Sequence, residues 1–381
     1  MECPVICYLR RTPMKIGIIS TSTKKNEKRY PLHHSHIRQL KDAHLKNLIF
    51  EIGYPGIDQV RRKEMLNLLP RKEIFEMANL IILAKPTPAD FPFFRPHQIL
   101  WGWPHCVQNP GITDIGIKNN MTFIAWEAMF KWRNNVKQEH IFSRNNELAG
   151  YSSVIHALTH HGLTGGVYGQ PLKAAVIGYG STGKGAVNAL LGLGAHDITV
   201  YSKRSRFEVA DAITHINYKR YRVEGRHVYM NGNTSAQELS SYDIIVNCIL
   251  QNPLNPIAFM TNDDAINLDK KQLIIDVSCD KAMGFEFARP TDFQAPTFEV
   301  GPVTYYGVNH SPTYFWQSAS YELSGALLPY LEYMLDHGTY KGNIVLEKAV
   351  AIEEGIIKNM DIIMFQRRND EYPYDVINKK D

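Results

Sequence analysis

Three glycines at fixed spacing, Gly178, Gly180 and Gly183, stand between two apolar runs, Lys173-Ala-Ala-Val-Ile177 before them and Ala186–Leu193 after them. The first run reads as a buried strand and the second as a helix. Gly178 permits a tight turn, Gly180 lets the backbone approach a pyrophosphate, and Gly183 lets helix and strand pack closely. The phosphates then rest on the helix N-terminus, at Ser181 and Thr182. A second strand, Asp197-Ile-Thr-Val-Tyr201, runs into Ser202-Lys203-Arg204. An NAD site calls for Asp or Glu at that place, to hold the ribose 2′-hydroxyl, whereas Ser, Lys and Arg suit a 2′-phosphate. The expected cofactor is NADP(H). The bland alternatives are a structural glycine turn and a solvated basic loop at Lys203, Arg204 and Arg206. Strand, helix and second strand at the right separation favour the cofactor.

Other residue types fall where strands end. Arg29, in Asn26-Glu-Lys-Arg29, follows the strand-like Lys15–Ile19 and can clamp a carboxylate through two parallel hydrogen bonds. Lys85 closes the run Leu80–Ala84. His105 follows the aromatic run Leu100-Trp-Gly-Trp103 and can serve as a general acid or base near neutral pH. Asn247 ends the run Tyr242–Asn247, and Asp280 follows Leu273–Val277. His310 lies in a turn, Val308-Asn-His-Ser-Pro312, where the chain is expected to cross back to its first half. Each has a structural reading by itself: a solvated arginine, a hydrogen-bonded histidine. Two cations and a histidine facing a hydride donor describe a site for a small 2-oxo acid.

The elements that must position these residues alternate between strand and helix. Strand-like runs at Lys15–Ile19, Asn47–Phe50, Leu80–Ala84, Gln98–Trp101 and Thr122–Ala125 are separated by helix-like stretches such as His36–Asp42 and Arg71–Met77. Such alternation implies α/β architecture, here two Rossmann-like domains with parallel sheets separated by a substrate cleft. The expected boundaries are a discontinuous substrate domain, 14–147 with 306–381, and a nucleotide domain, 148–305, after an extension at 1–13. Leu148–His161 reads as a connecting helix, Ala319–Leu335 as a long helix and Lys348–Asn359 as another. The tail Arg367–Asp381 reads as frayed, and Tyr218–Asn233 as a long loop.

A chain of 381 residues can bury two cores, and 44% hydrophobic with 21% charged residues is ordinary for a globular protein. The net charge of +4, with no dense basic block, argues against nucleic acid as a partner. No apolar run approaches the roughly 18–20 residues of a membrane span. Cys3, Cys7, Cys106, Cys248 and Cys279 are scattered, odd in number and without metal-site spacing. They fit reduced thiols in a cytoplasmic compartment, and no metal is expected. Residues 1–13 lack the apolar core and cleavage site of a secretory signal.

From Met14 onward the chain resembles the alanine dehydrogenase and pyridine nucleotide transhydrogenase superfamily, with its nearest likeness in the N5-(carboxyethyl)ornithine synthase branch. The resemblance rests on Trp101-Gly-Trp-Pro-His105-Cys-Val-Gln-Asn109, Ile112-Thr-Asp114, Ala125-Trp-Glu127-Ala-Met-Phe130 and Arg144-Asn-Asn-Glu-Leu-Ala-Gly150. It continues through Val200-Tyr-Ser202, Ile244–Asn247, Leu273–Asp280 and Leu328-Pro-Tyr330. It implies reductive condensation of pyruvate with the side-chain amine of ornithine or lysine, using NADPH, in a homo-oligomer acting on small molecules. By that likeness Arg29 and Lys85 bind the pyruvate carboxylate, while Lys85, His105 and Asp280 serve catalysis. Glu127, Arg144, Glu147 and His310 become candidates for holding the amino acid, with capping and salt bridging as their structural alternative. The run Lys281-Ala-Met-Gly-Phe-Glu-Phe-Ala288 departs from the family's usual pattern, and the segments Arg133–His140 and Tyr218–Asn233 are longer than in the synthases.

Two other readings stand beside this one. Alanine dehydrogenase-like reductive amination with ammonia uses the same fold. A non-catalytic NADP(H)-binding or sensing protein would have no need of Lys85, His105 and Asp280.

Overall fold

The computed structural model describes residues 14–377 except 210 and 253–254, so the expected extension at 1–13, with Cys3 and Cys7, lies outside the described residues. The chain divides into two units, one built from the chain up to Phe142 and again from Ser320, the other from Ser143–Ala319.

In the first unit a single sheet runs, edge to edge, through Ile356–Ile357, Val350–Glu353, Thr122–Ala125, Ile99–Gly102, Leu80–Leu83, Ile16–Ile18, Leu48–Glu51 and Asn67–Leu69. The last six are parallel. Numbered along the chain their order is 3-2-1-4-5-6, with a switch point between Ile16–Ile18 and Leu80–Leu83. Ligands of open α/β sheets bind outside the carboxyl ends of strands at such a point. Leu80–Leu83 is buried throughout, as a strand covered on both faces must be. The run packs into a core with Ile74, Phe75, Leu100, Ile112 and Phe123.

The second unit repeats the order. Asn217–Glu224, Asp197–Ser202, Lys173–Ile177, Ile244–Asn247, Gln272–Asp276 and Val303–Tyr306 lie side by side and parallel, again 3-2-1-4-5-6. Both units are therefore Rossmann-like. The helix after the glycine turn, Ser181–Gly192, buries Ala186, Val187, Ala189 and Leu190 against Ala174, Val176, Ile198 and Val200.

Several expectations need correction. The helix expected at Lys348–Asn359 is a hairpin: Val350–Glu353 turns at Glu354 and Gly355, both with positive φ, and pairs antiparallel with Thr122–Ala125. Helix is confined to Ile344–Lys348 before it and Met360–Gln366 after it. Tyr218–Asn233 is not a loop but the third core strand with its antiparallel partner, His227–Met230. The tail is tied down as far as Ile377, whose N–H donates to the Arg367 carbonyl. The buried Arg368 reaches Gln366, the Tyr374 carbonyl and Asp114. The helix expected to begin at Leu148 begins at Ser143 and ends at His160. It packs closely on the glycine-turn helix, where a Cβ on Gly185 would come within 1.8 Å of the Glu147 carbonyl oxygen. The whole helix belongs to the second unit, and the divisions fall at 142/143 and 319/320.

No described helix is long and apolar enough to cross a membrane. No group of three or more His, Cys, Asp or Glu among the described residues could hold a metal ion.

Candidate active site

Four neighbouring strands of the first unit deliver its polar residues from their carboxyl ends: Glu27 and Arg29 after Ile16–Ile18, Lys85 after Leu80–Leu83, His105 after Ile99–Gly102, and Glu127 after Thr122–Ala125. The floor is aromatic. Trp103 meets Trp126 edge to face at 4.8 Å between ring centroids and Phe142 at 5.6 Å. The Arg29 guanidinium lies 5.1 Å from the centre of the Trp103 ring, and Lys85 Nζ lies 5.9 Å from it. Two cations thus share one indole, whose electron-rich face attracts both.

Arg29 is held by Glu27. Its Nε donates to Oε1 at 2.8 Å and its Nη2 to Oε2 at 2.7 Å, in nearly complete burial. Burial alone would raise the Glu27 carboxyl. The Arg29 charge and hydrogen bonds, with Lys85 behind them, outweigh it and hold the group at about 2. Glu27 therefore stays ionised, occupies the Nε–Nη2 edge of Arg29 and fixes the guanidinium plane.

His105 adopts a left-handed backbone, φ 49°, a conformation that non-glycine residues seldom take without compensation. The compensation comes from Glu127, whose Oε1 accepts the His105 backbone N–H at 2.9 Å. The same Oε1 lies 3.9 Å from the ring nitrogen Nδ1. Desolvation in the recess, together with the charges of Lys85, Lys24 and Arg29, holds the imidazole below its usual range. Half of the side-chain surface meets solvent, which softens the desolvation part, but the three cations act in the same direction. His105 is thus neutral at physiological pH. Glu127 goes the other way: a third of its side-chain surface meets solvent, but Oε2 is buried, and desolvation pushes the carboxyl up to about 7, against hydrogen bonds from its own and the His105 backbone and the charge of Lys85.

The second unit carries the phosphate cradle. Gly178 has φ +93°, and a Cβ on Gly183 would strike the Gly178 carbonyl oxygen at 2.1 Å. A Cβ on Gly180 would meet nothing within 4 Å, so the turn leaves open space beside it, at the start of the helix that Ser181 and Thr182 begin. The turn follows the first core strand at the switch point, where a dinucleotide fits an open α/β sheet. Ser202 is buried and its Oγ accepts the Arg204 N–H at 3.1 Å. Lys203 is exposed. The Arg204 Nη2 donates to the Tyr179 carbonyl in the glycine turn at 2.9 Å. The first carboxylate beyond this strand, Glu208, is folded back to accept the Ser205 N–H at 2.6 Å.

Asn247 is fully buried, and its amide donates to Asp276 Oδ1 at 3.0 Å. Asp276 also accepts from Tyr305 OH at 2.8 Å and from the Cys279 N–H at 2.9 Å. This network supports the bend at Cys279, φ 41°, that presents Asp280, whose carboxyl is raised by burial. His310 is buried, with Nδ1 2.7 Å from Asn309 Oδ1 and its ring edge-on to Phe293. Arg144 and Glu147 belong to the second unit and pair with each other one helical turn apart. Glu127 is in the first.

Three residues escaped the sequence reading. Glu27 was visible two places before Arg29, a spacing that lets one carboxylate reach both side chain and backbone. Trp103 stands in the Trp101–Asn109 motif, but its place beneath two cations is a tertiary relationship that the motif does not encode. Arg220 pairs in register with Ser202 on the adjacent strand and donates through Nε to the Lys203 carbonyl at 3.3 Å. Its signal is the basic run inside Asn217–Glu224, which gains meaning only once that segment is a strand.

The family model described as Alanine dehydrogenase/PNT, C-terminal domain, matches residues 152–360. The chain is 26% identical over 344 residues to an N(5)-(carboxyethyl)ornithine synthase of Clostridium botulinum, an alignment covering 85% of this chain and 97% of the relative. It is 24% identical over 360 residues to alanine dehydrogenase 1 of Staphylococcus aureus, covering 89% and 93%. Among solved structures, an L-alanine dehydrogenase superposes with a TM-score of 0.76 at 20% identity, covering 92% of this chain and 99% of its own. A transhydrogenase from Sinorhizobium meliloti does so with 0.69 at 18%, covering 91% and 99%. With more than half of its length matched by the family model, the chain belongs to the alanine dehydrogenase/PNT family of oxidoreductases.

Proposed function

We propose that this protein reductively condenses pyruvate, or a similar 2-oxo acid, with the side-chain amine of ornithine or lysine, drawing on NADPH. The observation that carries the reading is the pair of cations around Trp103 with neutral His105 and a carboxyl group beside them. Arg29, its plane fixed by Glu27, supplies positive charge to the carboxylate of the oxo acid, and Lys85 completes its neutralisation. The carbonyl carbon is thereby oriented for attack, an entropic advantage in a step that joins two substrates. His105, uncharged, can receive a proton at its unprotonated nitrogen while donating from the other. A bound dinucleotide supplies hydride to the carbon that was the carbonyl. Asp280, on the bend held by Asp276, steadies the nicotinamide ribose of a dinucleotide bound in the same unit.

The likeness to an N(5)-(carboxyethyl)ornithine synthase supports an amino acid as the amine, and the likeness to alanine dehydrogenase 1 supports the oxo acid. Preference for NADPH rests on Ser202 and Lys203 where an acid would stand for NAD, on Arg220 in register beside Ser202, and on the engagement of Glu208 in its own turn. The test is NADPH oxidation with pyruvate and a panel of amines, with products identified by mass spectrometry. A secondary amine from pyruvate and ornithine or lysine is expected. Turnover with ammonium and with no amino acid would replace the reading by simple reductive amination. Tight NADPH binding without turnover on any oxo acid would leave a sensor.

A further inference from the structure

We infer that Glu127 is the proton store for the condensation: a positioning residue that acts through His105, taking up the proton released by the attacking amine and returning it when water leaves. The inference rests on the proposed reaction and assigns the route of its protons. Three geometric facts carry it. Glu127 Oε1 accepts the backbone N–H of His105 and lies 3.9 Å from Nδ1 of the same residue, a gap that a small rotation of the half-exposed ring closes. Glu127 Oε2 is buried and has no hydrogen-bond partner among the described residues. The His105 backbone is in the left-handed region, so the Glu127 contact fixes a conformation that the residue would not otherwise hold.

An unpartnered buried carboxylate oxygen is costly when charged and much less so when the group is protonated. The groups around it set the balance. Lys85 opposes protonation, and Cys106 is a buried thiol whose own ionisation Glu127 resists. His140, itself held below its usual range by burial, donates to the Glu127 and Trp126 backbone carbonyls rather than to the carboxyl. Lys24 and Arg29 act on His105 and keep it from retaining a proton. Of the two groups, then, Glu127 can keep a proton near neutrality, and the imidazole can only pass one on. Environments that push two titratable groups apart in this way define their roles.

The steps balance. The substrate ammonium gives one proton to the unprotonated nitrogen of His105 as Nδ1–H passes its proton to Glu127. The freed amine lone pair forms the C–N bond, and the carbonyl π pair moves to oxygen. Proton transfer from that nitrogen to that oxygen leaves a neutral carbinolamine. The stored proton then returns along the same path to the hydroxyl, the C–O bond breaks, water leaves and the iminium remains. No net proton is consumed before hydride arrives.

Glu127→Gln is the informative variant, because the amide oxygen can still accept the His105 N–H and preserve the turn while the proton site is gone. With pyruvate, L-ornithine and NADPH, kcat should fall by about 100-fold or more. The pyruvate KM and NADPH Kd should stay within about twofold, and the acid limb of the native kcat/KM profile near pH 7 should disappear. A native profile flat through pH 7, or the same limb in Glu127→Gln, overturns the inference. A second readout needs no substrate. In protein labelled with 15N-histidine, the His105 resonances, assigned through His105→Asn, should show an inflection near pH 7 that vanishes in Glu127→Gln. An inflection that survives in the variant, or none in the native protein, overturns the inference. If the native enzyme turns over no amine, the proposed reaction falls by itself and the imidazole titration still decides whether Glu127 and His105 are coupled.

Discussion

Glu27 holds Arg29 along two nearly parallel hydrogen bonds of 2.8 and 2.7 Å, and neither side chain is open to more than a trace of solvent. Removing one partner of such a pair leaves a buried charge unmatched, which costs about 3–5 kcal/mol. Glu27→Ala should therefore lose that much stability in denaturant titrations, far beyond an ordinary surface change. The pH dependence has a definite sign. The folded carboxyl lies at about 2, below its ordinary value of 4.5, so its stabilisation is fully present above pH 4.5 and is lost as pH falls through 2. The stability gap between native protein and Glu27→Gln should be level from pH 5 upward and shrink in acid. A gap that widens below pH 4 would contradict the assignment.

Lys85 and His105 stand at the ends of adjacent strands and should separate kinetically. Lys85→Met removes a charge-assisted contact to the oxo acid, so the pyruvate KM should rise by about 10- to 100-fold, the equivalent of 1.5–3 kcal/mol. His105→Ala should abolish turnover and leave NADPH affinity nearly unchanged. A large loss of NADPH binding in His105→Ala, read by fluorescence titration, would count against its assigned place in proton transfer.

The sequence displayed the strand ends far better than what lies between them. Thr122–Ala125 and Lys173–Ile177 stand where the apolar runs predict them, because a strand buried on both faces is an unbroken apolar run with polar residues at its limits. Val350–Ala-Ile-Glu353 failed for the complementary reason. It lies at the sheet margin, and its apolar spacing with that of Ile356–Ile357 suits a helix as well as a hairpin; only pairing with Ile124 and Phe123 decides between them. Site chemistry followed the same rule. Arg29, Lys85 and His105 were legible as residue types just past strands. The Glu127–His105 contact and the Ser202–Arg220 register join residues 22 and 18 positions apart, and no local pattern announces them.

Cofactor choice should divide the three basic residues around Ser202. Lys203 is exposed at the strand end, and Arg220 stands in register with Ser202 beside it. Arg204 instead ties down the Tyr179 carbonyl. Lys203→Ala and Arg220→Ala should each raise the NADPH KM by about tenfold and spare NADH, the usual size of one lost charge-assisted contact. Arg204→Ala should weaken both cofactors alike, because it loosens the glycine turn that each of them would share. Equal losses for NADPH and NADH in Arg220→Ala would remove it from the 2′-phosphate site.

Asp276 is the clearest case of a carboxyl held against its charge. It is fully buried, and burial raises it to about 6, with Asp280 adding to that rise, although Cys279, Tyr305 and Asn247 all donate to it. Because the folded value exceeds the ordinary 3.8, the native state binds this proton more tightly than the unfolded chain. Stability should accordingly fall as pH rises from about 4 to 6, and the penalty, on the order of 3 kcal/mol, is complete above that window. Asp276→Asn removes the charge and keeps the hydrogen bonds: the amide oxygen accepts from Asn247 and Cys279, and the Tyr305 hydroxyl turns to accept from the amide nitrogen. The variant should be nearly level across pH 4–6 in denaturant titrations and should retain turnover. Asp276→Ala should lose turnover, because it releases the Cys279 N–H and with it the bend that presents Asp280. A native protein that grows more stable than Asp276→Asn between pH 4 and 6 would show that the network holds an ordinary ionised carboxylate, and that the bend owes its shape to something other than this acid.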